Sequence, residues 1–131
     1  MTERYDRNDN IDEFTRAYIA CMLWSTNDES DPSGGEPLDN NYTIDDLSDL
    51  AFAQICSDCR CFVRAYGKDI GPKLMSQAGH DFWLTRNGHG AGFWDRPELY
   101  GEPLATNLTK ASESHGEVWP YVGDDGKIYY E

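Results

Sequence analysis

Residues 79–96 constrain the fold most strongly, because two runs rich in aromatic side chains flank a turn sequence. The segment reads GHDFWLTRNGHGAGFWDR, and Asn87 to Gly90 at its centre is typical of a tight turn between two strands. In such a hairpin Asp81 would face Arg96 as a cross-strand pair of opposite charges. The sequence therefore predicts a β-hairpin over this segment.

Apolar residues at helical spacing predict two helices in the N-terminal half. The first follows a capping box at Asn10 and Glu13 and extends to about Trp24. The second begins at Thr43, and its buried stripe recurs every three or four residues: Leu47, Ala51, Ile55, Cys59, Phe62 and Tyr66. Between them, residues 25–43 are rich in Ser, Asn, Asp, Gly and Pro, which predicts a long acidic loop.

The C-terminal part predicts one more helix and a second hairpin. The helix follows Pro103, and the hairpin comprises residues 117–122 and 127–130, with Pro120 on an edge strand. The order ααββαββ predicts a single α+β domain over residues 1–131, in which an antiparallel sheet of two hairpins packs against about three helices. The aromatic core of that sheet would comprise Phe82, Trp83, Phe93, Trp94 and Trp119.

Acidic residues are distributed unevenly along the chain. The 131 residues carry a formal net charge of −13, and no Lys or Arg occurs from Ala17 to Cys59. Six carboxylates of this stretch are the predicted binding residues: Asp28, Glu29, Asp31, Asp45, Asp46 and Asp49. Such a surface repels nucleic acid and attracts basic proteins, through a field that salt screens over about 8 Å. The alternative is that the acidity serves solubility alone.

The four cysteines do not form a metal-binding pattern. A structural zinc ion needs four converging ligands, and no second Cys-x-x-Cys or His pair accompanies Cys56 and Cys59. We therefore expect no metal or cofactor, and reduced, buried thiols in a cytoplasmic protein: Cys21, Cys56, Cys59 and Cys61. No secretory signal is predicted, and no apolar run reaches the roughly 20 residues that a membrane-spanning helix needs.

The polar residues of the 79–96 segment are an alternative candidate site. An acid/base or ligand-binding site could be built from six of them: His80, Asp81, Arg86, Asn87, His89 and Asp95. Each also has a structural interpretation, such as the Asp81–Arg96 pair. No Ser-His-Asp signature, phosphate-binding loop or paired-His motif occurs, so the sequence favours binding over catalysis.

The 79–96 segment, together with the downstream sequence YVGDDGKIY at residues 121–129, resembles a family of small, largely uncharacterised proteins of bacteriophages and related mobile elements. The resemblance is greatest from about residue 78 to the end of the predicted hairpin. It extends more weakly to residues 27–29 and to the helix from Thr43 to Cys59. The resemblance implies an origin, and it implies no catalytic residue.

Small acidic phage proteins frequently bind host machinery, including restriction and CRISPR systems, and some present carboxylates where DNA presents phosphates. The resemblance and the acidic charge together favour an interaction protein of the host cytoplasm, which binds and inhibits a basic, nucleic-acid-binding host protein. Length and composition predict a chain that folds alone or as a homodimer. Two alternatives stay open. One is a small enzyme or ligand-binding module, and the other is a virion or assembly component that forms a stable homo-oligomer.

Overall fold

The computed structural model describes residues 6–30 and 35–131, and this part of the chain is mostly helical. Five helices precede two short strands: α1 (Glu13–Ser25), α2 (Asp49–Ile70), α3 (Met75–Arg86), α4 (Pro97–Tyr100), α5 (Leu104–Ser114), β1 (Pro120–Val122) and β2 (Ile128–Tyr130). Five single 3₁₀ turns lie between them: Asn8–Asn10, Leu38–Asn40, Ile44–Asp46, Pro72–Leu74 and Phe93–Asp95. None of the described helices combines the length and the apolar character needed to cross a bilayer.

The predicted hairpin over residues 79–96 is wrong, and so is the α+β order ααββαββ. Residues 75–86 form helix α3, and the turn sequence ends this helix instead of joining two strands. Residues 81–86 are all buried, so α3 has no solvated face here, and the apolar period that identifies a helix in sequence is missing. Within the described residues the only sheet is the β1–β2 ribbon, an antiparallel pair that matches the second predicted hairpin.

The other predicted helices are confirmed, with shifted ends. Helix α1 begins at Glu13, and its N-cap is Asp12. Thr43 and Asp46 form the predicted capping box, but it caps a 3₁₀ turn, and Ser48 caps α2. Helix α5 lies where the third helix was expected. The predicted helix ends are wrong by one to five residues, because several nearby polar residues can each cap a helix.

The aromatic core lies where α1, α2 and α3 meet. The rings of Phe62 and Phe82 stack with centroids 4.3 Å apart, and Phe14 lies 5.6 Å from Phe62. Gly79 of α3 packs against the backbone of Phe14 in α1, where a Cβ atom would overlap the Phe14 carbonyl oxygen. The absence of a side chain at Gly79 therefore sets the close approach of α1 and α3.

Two of the five aromatic residues assigned to a sheet core are not in the core. Trp94 is 51% exposed and Trp119 is 70% exposed, whereas the other three are buried among the helices: Phe82, Trp83 and Phe93. Trp94 lies in a 3₁₀ turn and Trp119 lies just before β1, so neither has a second sheet layer to cover it. Their exposure follows directly from the loss of the predicted four-stranded sheet.

Candidate functional site

Four of the six predicted acidic binding residues lie beside the β1–β2 ribbon: Glu29, Asp45, Asp46 and Asp49. Glu29 lines a groove together with β1. At the opposite edge Leu47 pairs with Ile128 of β2, which brings three of the predicted carboxylates to that edge: Asp45, Asp46 and Asp49. The ribbon itself adds three exposed carboxylates: Asp124, Asp125 and Glu131. Carboxylates predicted from separate parts of the sequence therefore surround one pair of strands.

Two of the predicted acidic residues have structural partners of their own. Asp28 accepts hydrogen bonds from the backbone N–H and the hydroxyl of Ser30, at 3.0 and 2.5 Å. Asp46 accepts the backbone N–H of Thr43 at 2.7 Å, which closes the capping box. Substitution of either residue would alter a turn as well as the surface charge.

Of the other described acidic candidates, Glu29 and Asp45 are more available to a partner than Asp49. Asp49 is exposed and forms an ion pair with Arg7 at 2.8 Å. The side chains of Glu29 and Asp45 make no hydrogen bond or ion pair within residues 6–30 and 35–131, and both are exposed. Asp31 lies outside the described residues.

Arg7 and Lys127 lie close to the carboxylates that border the ribbon. Three basic residues recur every four positions on the C-terminal half of α2 and share one helix face: Arg60, Arg64 and Lys68. Asp49 at the start of α2 and Lys68 near its end lie about 28 Å apart along the helix, at 1.5 Å per residue. The molecule is therefore acidic around the ribbon and carries a basic stripe toward the other end of α2.

Arg86, a member of the alternative site, is 4% exposed and lies in a buried hydrogen-bond network. Its guanidinium donates to five groups: Gly116 O (2.8 Å), His115 O (3.0 Å), Asp58 Oδ2 (2.9 Å), Tyr130 Oη (2.9 Å) and Tyr18 Oη (3.1 Å). The Tyr130 hydroxyl donates to Asp58 at 2.9 Å, so the Tyr18 hydroxyl, 2.7 Å from Tyr130, donates to Tyr130. This network joins α1, α2, α3, β2 and the end of α5.

The Arg86 network is structural. Burial raises the pKa of both tyrosine hydroxyls, Tyr18 and Tyr130, which keeps them neutral. Burial alone would lower the pKa of Arg86, but its interactions with Tyr18, Tyr130 and Asp58 raise that pKa above its usual value. A general acid or base must reach a substrate, and these groups reach only one another.

A second buried network centres on Asp81, which has no exposed surface. Its carboxylate accepts hydrogen bonds from Arg96 Nε (3.0 Å), Gln77 Nε2 (3.1 Å) and the Tyr100 hydroxyl (2.8 Å). His80 Nδ1 lies 3.8 Å from Asp81, and this buried nitrogen has no hydrogen-bond partner in the described part of the chain. The predicted contact between Asp81 and Arg96 exists, but it joins a helix to a following turn instead of two strands.

The six residues of the alternative site are therefore divided among different places. Arg86 and Asp81 belong to separate networks, and Asp95 is exposed in a 3₁₀ turn. Only Asn87 and His89 line the groove that also contains Glu29 of the acidic set. No group of three His, Cys, Asp or Glu residues suitable for a metal ion occurs where the structure is described.

The groove lies between the start of the acidic loop and β1 and has a volume of about 570 Å³. One wall belongs to residues 25–30 and the other to residues 117–122, while Trp83, Asn87 and His89 close one end. Hydrogen bonds fix one wall to α3 and the other to Asn87, the residue that follows α3. Trp83 Nε1 donates to the Ser25 hydroxyl at 2.7 Å, and Asn87 Oδ1 accepts the backbone N–H of Val118 at 2.9 Å.

The lining of the groove combines carboxylates with exposed aromatic rings. Glu29 and Glu117 line opposite walls, and no Lys or Arg is among the lining residues. Trp119 and Tyr121 also line it, and they are 70% and 43% exposed. Carboxylates and aromatic faces both attract organic cations.

Sequence reasoning did not single out Glu117 or Tyr121, and it assigned Trp119 to the core. The available signal was Pro120, which predicts an edge strand and therefore an exposed neighbourhood. The predicted edge position is confirmed, because β1 pairs with β2 on one side and borders the groove on the other.

Comparison with protein-family models, curated proteins and solved structures finds no match to this chain. The resemblance to phage and mobile-element proteins therefore stays a prediction. Function has to be argued from the charge distribution and from the groove.

Proposed function

We propose that this protein is an acidic interaction protein of the bacteriophage or mobile-element type, which binds and inhibits a basic, nucleic-acid-binding host protein. One observation carries the proposal: exposed carboxylates border both edges of a single β-ribbon. A nucleic-acid-binding groove presents Lys and Arg side chains that normally meet phosphates. Carboxylates spread along a narrow ribbon can meet the same cations, which would exclude the nucleic acid.

The buried ion pairs strengthen this argument. Arg86 pairs with Asp58 and Arg96 pairs with Asp81, so these two cations neutralise carboxylates inside the fold. They do not offset the charge around the ribbon. A concentrated field of one sign increases the rate of encounter with a basic partner, and salt weakens that effect.

The test is affinity capture from a bacterial lysate at low and at high salt, with the immobilised wild-type chain and two variants. The first variant neutralises four exposed carboxylates near the ribbon and leaves Asp28 and Asp46, whose side chains close turns, intact: Glu29→Gln, Asp45→Asn, Asp49→Asn and Asp124→Asn. The matched control removes four charges elsewhere, at exposed residues with no side-chain hydrogen bond among the described residues: Glu13→Gln, Asp69→Asn, Glu98→Gln and Glu113→Gln.

The wild type and the control variant should capture a nucleic-acid-binding protein at low salt, and duplex DNA should displace it. The ribbon variant should lose this protein. Equal capture by the ribbon variant would contradict the proposal. Equal loss from both variants would show that net charge acts without a defined surface, and would contradict it as well.

A further inference from the structure

We infer that the outer edge of β1 is a docking site for an extended, basic peptide segment of the partner, which adds along the groove as a third strand. This inference deepens the proposed function and rests on it for the basic character of the partner. The contact lies at this edge, and the backbone groups of β1 form it.

No described strand pairs with the outer edge of β1, which borders the groove; on this edge Pro120 is buried, and Val118 and Val122 are half-buried. Trp119 exchanges both backbone hydrogen bonds with Glu131, at 2.6 and 3.3 Å, and Tyr121 stands opposite Tyr129. In an antiparallel pair the N–H and C=O of one residue point to the same side, and this side alternates along the strand. Three residues of this segment therefore direct their backbone groups away from β2: Val118, Pro120 and Val122.

This edge offers more acceptors than donors. Asn87 already occupies the N–H of Val118, and Pro120 has no N–H. Within the described ranges no hydrogen bond involves the carbonyls of Pro120 and Val122 or the N–H of Val122. An extended peptide supplies N–H donors at the matching spacing of a strand, and this is how peptides extend the edge of a sheet.

The side chains of the groove select a cationic peptide. Glu29 and Glu117 lie on its two walls, and the exposed rings of Trp119 and Tyr121 lie beside the open edge. Lys and Arg side chains form ion pairs with carboxylates and pack over aromatic faces. The open edge spans residues 118–122, a length of about 16 Å, which matches a peptide of roughly five residues.

The groove also exists before the peptide binds. The bonds from Trp83 to Ser25 and from Asn87 to Val118 hold its walls against α3, so binding does not have to order them. A preformed edge loses less conformational entropy on association than one that must fold.

The test uses the full chain and a synthetic probe, the pentapeptide acetyl-Arg-Val-Lys-Val-Arg-amide, followed by NMR of backbone amides and of indole N–H groups. Saturable shifts are expected at the Val122 amide and at the Trp119 indole. A second peptide of the same charge carries N-methyl groups on its central backbone nitrogens. It should bind about tenfold more weakly, because it cannot donate to the Pro120 and Val122 carbonyls.

Variants of exposed residues locate the site. Trp119→Ala and Glu117→Gln should each weaken binding of the pentapeptide by about threefold or more. Trp94→Ala and Glu98→Gln remove an exposed tryptophan and an exposed carboxylate outside the groove lining, and they should leave the affinity unchanged. Circular dichroism of each variant confirms that the fold is retained.

Equal affinity of the two peptides would show that charge alone attracts the probe, and it would overturn the strand-addition inference. Shifts confined to residues 45–49 would overturn it too. If the pentapeptide binds as expected but capture from lysate fails, the docking site stands and the proposed function falls. If capture fails only in the ribbon variant and is unaffected by Trp119→Ala, the proposed function stands and the docking site falls.

Discussion

Arg86 Nη1 lies 2.9 Å from Asp58 Oδ2, and this ion pair joins the buried Arg86 of α3 to the half-buried Asp58 of α2. Arg86→Met should reduce the free energy of unfolding by about 3–5 kcal/mol, because it leaves a carboxylate inside the fold without its cation. Urea denaturation followed by circular dichroism measures the change. Arg64→Met, at an exposed position of α2, is the control and should cost under about 0.5 kcal/mol. Similar small losses in both variants would refute the structural role of Arg86.

Gly79→Ala should destabilise the protein by about 3 kcal/mol, at the upper end of the usual cost of overpacking. The new methyl group would overlap the carbonyl oxygen of Phe14, and only separation of α1 from α3 can relieve the overlap. Gly67→Ala in α2 is the control. There the nearest atom is a side-chain methyl of Val63 at 3.1 Å, so the cost should stay within about 1 kcal/mol. Thermal unfolding of the two variants under one condition tests the contrast.

The free energy of unfolding should decrease at acidic pH because of His115. Burial and the nearby Arg86 lower the pKa of His115 below its ordinary value of 6.5, although Asp58 acts in the opposite direction. The folded state therefore binds this proton less readily than the unfolded state does. Its contribution to stability is complete above pH 6.5 and is lost as pH falls through the lowered pKa of the folded state.

The measurement for His115 is the free energy of unfolding in urea, at a series of pH values from 7 downward. His115→Gln should make that free energy less dependent on pH just below pH 6.5. The wild type, measured at the same pH values, gives the reference dependence. An unchanged slope in His115→Gln would contradict the prediction.

The cysteines should differ in their reactivity. Cys21 and Cys59 are buried, and burial raises the pKa of Cys21 to about 12 and that of Cys59 well above its usual value. Cys61 is exposed on α2 and Cys56 is half-buried, so the prediction of four buried thiols is wrong for these two. Because the thiolate is the nucleophile, iodoacetamide at neutral pH should alkylate Cys61 long before Cys21 or Cys59. Mass spectrometry of the native protein at successive times gives the order, and modification of Cys59 at the rate of Cys61 would contradict the buried assignment.

Helix α2 could be predicted from sequence, whereas α3 could not, and the difference is one of environment. One face of α2 is buried and the other is solvated, so apolar residues recur from Ala51 to Phe62 at helical spacing. In α3 six consecutive residues, 81–86, are buried on every side, and two of them are the charged Asp81 and Arg86. Such a helix has no apolar stripe, and the following Asn-Gly sequence then suggests a hairpin.

Only the acidic residues of the site could be predicted from the sequence. The carboxylates from Asp28 to Asp49 stand out in the sequence because no cation separates them. The position of Asp45, Asp46 and Asp49 beside β2 depends on the bridge between Leu47 and Ile128, which are 81 residues apart and share no local signal. The groove likewise forms from three distant segments, so neither Glu117 nor Trp119 could be assigned to it in advance.

Pro120 also limits which strands can pair with the outer edge of β1. If two copies of the chain met edge to edge in antiparallel order about Tyr121, each Pro120 would stand opposite Val122 of the other copy. The Pro120 carbonyl would find a donor, but the Val122 carbonyl would find none, because proline has no N–H. Exposed strand edges are where folded proteins polymerise. A single imino acid thus discourages self-assembly at this edge while leaving it accessible to a foreign strand that supplies its own donors.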